Sequence, residues 1–77
     1  MGVFVENGKN GKVTTMSLPS GDVTVKGTGD SYFVSVALRL AKAHGGYWNE
    51  GYGNWIVPAR SANSVHFALG QALRRID

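Results

Sequence analysis

Tyr47, Trp48, Tyr52 and Trp55 fall within nine residues of a 77-residue chain, and this density is its strongest chemical signal. Such rings either fill a core or offer a flat surface on which a partner can stack. Tyr47-Trp48-Asn49 and Asn54-Trp55-Ile56-Val57 read as the strands of a hairpin around Glu50-Gly51-Tyr52-Gly53. A hairpin has two faces, so these rings cannot all point inwards together with Ile56 and Val57. Tyr52 stands at the tip and is expected to be exposed. A two-residue Gly51-Tyr52 loop pairs Trp48 with Trp55, whereas a loop one residue longer sets the indoles on opposite faces. Trp55 reads as core, and Trp48, Tyr52 and Tyr47 as stacking surfaces. Arg39, Lys42, His44 and Arg60 flank the hairpin, and Glu50 is its one nearby acid. Rings beside cations suit a single-stranded nucleic acid, whose bases stack and whose phosphates need neutralising. Arg39, Lys42 and Arg60 are the expected phosphate contacts. A protein partner could use the same patch as a hot spot, because aromatics and Arg are enriched there too.

Other chemistries find less support. Cysteine is absent, which excludes disulfides, thiol nucleophiles and thiolate zinc sites. His44 and His66 are the only histidines, and neither has acids at ligand spacing. Asp22, Asp30 and Glu50 belong to different elements and form no carboxylate pair. No Ser and His stand in a triad order. No catalytic residue, metal site or cofactor is expected. Gly27-Thr28-Gly29-Asp30 at a helix start is similar to the Gly-x-Gly-Asp turn of ribokinase-type sugar kinases. A chain this short cannot hold both ATP and a sugar, so Asp30 is read as a helix N-cap.

The elements that must carry these residues form a single α+β domain over residues 1–77. Val3–Val5, Val13–Ser17 and Asp22–Lys26 read as an antiparallel meander, with turns at Asn7-Gly8, Asn10-Gly11 and Leu18–Gly21. Gly27-Thr28-Gly29 is expected to break the sheet. A helix follows from Ser31 to about His44, ended by Gly45-Gly46. Tyr32, Ser35, Arg39 and Lys42 should face water, with Phe33, Val36, Ala37, Leu40, Ala41 and His44 opposite and Val34 and Leu38 widening the apolar arc. A second helix is expected from about Ser61 to Ile76, burying Val65, Leu69, Ala72, Leu73 and Ile76. Arg74 and Arg75 would then complement the negative end of its dipole, with extension of the basic surface as the alternative. The predicted order is β-β-β-α-β-β-α, a small antiparallel sheet with two helices.

Net charge is +3, a mild lean towards a polyanion. The N-terminal residues lack a basic, apolar leader pattern, and no apolar run is long enough to span a bilayer. A cytoplasmic protein without a membrane partner is expected. An edge strand of the first hairpin could support a homodimer.

Ala43-His44-Gly45-Gly46-Tyr47-Trp48-Asn49, a Gly-rich turn and Asn54-Trp55-Ile56-Val57-Pro58 stand in a familiar order. From about residue 29 to 60 the chain resembles small helix–hairpin modules appended to primases, toprim proteins and mobile-element DNA-processing proteins. More distantly it resembles the HARP domain of annealing helicases. The resemblance implies structural signature positions at Trp55 and Pro58, and a small basic DNA-binding accessory protein of a mobile genetic element.

Overall fold

Chain reversals rich in Asn, Gly and Pro cut the first thirty residues into three strands. In the computed structural model, which describes residues 1–77, they are β1 (Gly2–Val5), β2 (Gly11–Ser17) and β3 (Val23–Gly29). They pair as an antiparallel meander. Helix α1 (Ser31–Ala43) starts where Asp30 Oδ1 accepts a 2.9 Å hydrogen bond from Tyr32 N. It ends in a Schellman turn. Gly45 takes φ of 77° and its N–H donates to Lys42 O, while Gly46 N donates to Ala41 O. The hairpin β4 (Tyr47–Asn49) and β5 (Asn54–Val57) follows, with β5 beside β3. Pro58 leads into a 3-10 turn (Ala59–Ser61), helix α2 (Ala62–Ala72) and a short strand β6 (Arg74–Arg75). The sheet is antiparallel throughout, in the order β4-β5-β3-β2-β1-β6. The fold is α+β.

Period-two alternation decides which strand residues the helices cover. Phe4, Val13, Val23, Val25 and Val57 from the strands interlock with Phe33, Val36, Ala37 and Ala41 of α1 and with Val65 and Leu69 of α2. All are buried, and Leu73 closes the cluster. Both helices therefore lie on one face of the sheet.

Three expectations are corrected. Gly27-Thr28-Gly29 does not break the sheet: β3 continues to Gly29, opposite Gly11. A Cβ on Gly27 would sit 2.4 Å from the carbonyl oxygen of Phe33, so the missing side chain lets α1 press onto the strand. On α1, Tyr32 is half-buried against the core with its ring edge-on to Phe33, while Val34 and Leu38 are exposed. The apolar arc is thus narrower than expected, because one flat sheet contacts only one side of the helix. Helix α2 stops at Ala72, short of Ile76. Leu73 turns extended, and Arg74 and Arg75 pair with Val5 and Phe4 of β1. A second register of ladder hydrogen bonds, including Ile76 N to Val3 O at 2.9 Å, replaces the last helical turn. Arg74 and Arg75 thus edge the sheet and cap no helix.

Candidate nucleic-acid interface

The residues that alternate with the core set lie on a face that no element covers. Cross-strand partners in an antiparallel sheet point to the same side. Tyr47 lies opposite Ile56, Ile56 opposite Thr24, and Thr24 opposite Met16, giving one row across four strands. Two residues further along, Lys26 lies opposite Thr14, and Thr14 opposite Val3. Further still, Lys12 lies opposite Thr28, and Val5 opposite Arg74. The face forms an open, largely apolar concavity of about 640 Å³, bordered by Met16, Ile56, Lys12, Lys26, Asn54 and Tyr52.

Its electrostatics follow from where the acids are. The chain has five, Glu6, Asp22, Asp30, Glu50 and Asp77, and none lies on a strand. Several serve the backbone. Asp22 Oδ1 accepts from Ala59 N at 2.9 Å, and Asp30 caps α1. Asp77 Oδ1 accepts from Arg75 Nε at 2.9 Å and from Val3 N at 3.0 Å. Those two bonds, the one from Arg75 foremost, hold the Asp77 carboxyl down at about 2. Lys12, Lys26 and Arg74 therefore meet no carboxylate on the open face.

The sheet divides the six residues expected to bind nucleic acid. Tyr47 and Tyr52 belong to the open face and are 59% and 78% exposed. Trp48 lies opposite Trp55 on the helix-covered side, the register of the shorter loop, with ring centroids 5.4 Å apart at 66°. Trp55 packs on the core, and Trp48 is 47% exposed beside it. Arg39 and Lys42 are exposed on α1, and Arg60 sits in the 3-10 turn with its guanidinium near Gly45. Trp48, Arg39, Lys42 and Arg60 thus share the helical side, while the two tyrosines look the other way. Lys12, Lys26, Thr24, Met16 and Arg74 were not among the expected contacts. The signal for the first four was present: Lys12, Met16, Thr24 and Lys26 occupy the outward phase of strands whose inward phase is Val13, Thr15, Val23 and Val25.

Hydrogen-bonding capacity is also available. Asn49 Oδ1 accepts from Tyr52 N at 3.3 Å and steadies the hairpin tip. Asn54 Oδ1 is buried and has no hydrogen-bond partner, which is uncommon enough to mark a position. The histidines are engaged in structure. His44 Nδ1 donates to Leu40 O at 2.7 Å, so this ring satisfies a carbonyl of the last turn of α1. His66 Nδ1 donates to Ala62 O at 2.9 Å, and its Nε2 meets Thr15 Oγ1 at 2.8 Å. No three His, Asp or Glu residues converge as metal ligands. No helix is long and apolar enough to cross a membrane. The chain matches no protein-family model, no curated protein and no solved structure.

Proposed function

We propose that the protein is a non-catalytic module that binds single-stranded nucleic acid, single-stranded or branched DNA above all, on the open face of its sheet. One observation carries this reading: Tyr47, Tyr52, Lys12 and Lys26 share an uncovered surface whose strands carry no acid. Exposed tyrosines supply stacking worth about 1–3 kcal/mol per base without regard to sequence. The lysines supply the salt-dependent part, about 0.7 in the log–log slope for each phosphate neutralised on a single strand. Met16, exposed on β2, offers an apolar contact for a base.

The test is a binding titration of labelled single-stranded DNA, by anisotropy, at several salt concentrations. Tyr52→Ala is expected to weaken binding by about 1–3 kcal/mol while the melting temperature holds, since a tip residue adds little to the core. Arg39→Ala with Lys42→Ala is expected to leave the salt slope intact, because both lie on the helical side. A flattened slope in that double variant would move the site to the helices. No binding at low salt to single-stranded, duplex or forked DNA would end the nucleic-acid reading.

A second reading, a small protein-interaction module working as adaptor or inhibitor, draws on the helical side. Phe67 of α2 is 70% exposed, and Val34 and Leu38 are exposed on α1. Exposed aromatics of this kind are hot-spot residues in protein interfaces. Binding that ignores salt and fails on Phe67→Ala would favour it.

A further inference from the structure

The open face differs from edge to edge. In the sheet order β4-β5-β3-β2-β1-β6, the exposed tyrosines stand at the β4–β5 edge. Lys26 follows on β3 and Lys12 on β2, diagonal neighbours because Lys26 pairs with Thr14 and Lys12 with Thr28. At the opposite edge Arg74, opposite Val5, is exposed, and its Nη2 donates to Asn7 Oδ1 at 3.1 Å. Its neighbour Arg75 is spent elsewhere. It stands over the Phe4 ring, pairs with Asp77 and donates to Met1 O at 2.8 Å. The cations of this face are therefore met one after another by a line drawn across the strands, and a line drawn along any one strand meets at most one of them.

We infer that a single strand of nucleic acid crosses this sheet from edge to edge, across the β-strands and not along them, its bases anchored at the hairpin tyrosines and its backbone passing Lys26, then Lys12, then Arg74. This deepens the function proposed above and rests on it. Arg74 is then the outermost phosphate contact. Five inter-strand gaps of about 4.8 Å give a track of about 24 Å. That suits about four nucleotides, the lower end of the range for one small sheet-borne site. The complementarity is specific to a linear polyanion. A compact anion would need the cations clustered.

The experiment is a length series of oligothymidylates, from the dinucleotide upward, bound to the wild type and to Arg74→Ala, Arg74→Lys and Arg75→Lys, each with its melting temperature. Affinity is expected to climb to about four nucleotides and then level off. Arg74→Ala is expected to match the wild type on the dinucleotide, to bind longer strands several-fold more weakly, and to lower the slope from about 2 to about 1.4. Arg74→Lys is expected to restore the slope, and Arg75→Lys to leave it unchanged. If Arg74→Ala weakens dinucleotide and longer strands alike, or changes neither, the cross-strand track is wrong. Should Tyr52→Ala still weaken binding in that case, the open face remains the site and only its orientation falls. If no oligonucleotide binds, both readings fall together.

Discussion

The two faces of this sheet are built from the same strands and obey opposite rules. On the covered face Val13, Val25 and Val57 meet Phe33 and Val36 of α1, packed without room to spare. On the open face, one residue out of phase, Thr14, Met16, Thr24 and Lys26 lie under no helix. Packing dictates the first set. Nothing in the fold dictates the second, so the absence of any carboxylate from it is not a packing result. The comparison separates residues that hold the domain together from residues free to hold something else.

Three substitutions can break or sharpen that contrast. The largest effect is expected for Phe33→Ala on the covered face. It removes a fully buried ring at a cost of about 3–5 kcal/mol, comparable to the whole stability of so small a domain, and denaturant titration should find it largely unfolded. A native-like midpoint would show that the helical layer is not what holds the sheet. Next is Asp30→Ala, which loses the hydrogen bond to Tyr32 N. It should lower stability by about 0.5–2 kcal/mol without changing oligonucleotide affinity. Lost affinity at full stability would instead point to an anion site at the start of α1.

The smallest effect concerns the tail. Asp77 titrates at about 2, below its ordinary 3.8, because its carboxylate is bonded to Arg75 and to Val3 N. A lowered value stabilises the fold above 3.8, and that contribution disappears as the pH falls through 2. The Val3 amide shift should therefore titrate near the lower value, and Asp77→Asn should abolish the step. A midpoint at 3.8 would mean that the tail is free.

Much of this was legible in the sequence where local rules are strong. The Asp30 cap, the Gly45-Gly46 stop and the three-strand meander each follow from residues within a few positions of one another. Two features were hidden for a shared reason: each depends on a partner in another element. Gly27 reads as a breaker until the backbone of Phe33 is seen pressing on it. Leu73 and Ile76 keep a helical spacing with Leu69, but the edge of β1 competes for Arg74 and Arg75 and takes them into the sheet. The candidate site was half legible. Tyr52 and Tyr47 are identifiable as exposed rings from the hairpin alone, but the cations on their face, Lys12 and Lys26, come from the other half of the chain and reach it only through the sheet. Trp48 shows the same limit, since the hairpin register alone sends it to the helical side.

The seam between β1 and β6 has a kinetic meaning. Its contacts join residues 74 positions apart, nearly the whole length of the chain. Closure entropy rises with ring size, so that pairing gains little until the meander, α1 and the β4–β5 hairpin are already in place. Two residues of strand and one ion pair then zip the ends together, and they should be the last part to assemble and the first to fray. Arg74 rides on this seam. On the cross-strand track proposed above, the length of strand held at any instant would then follow how often the chain's own two ends have come apart.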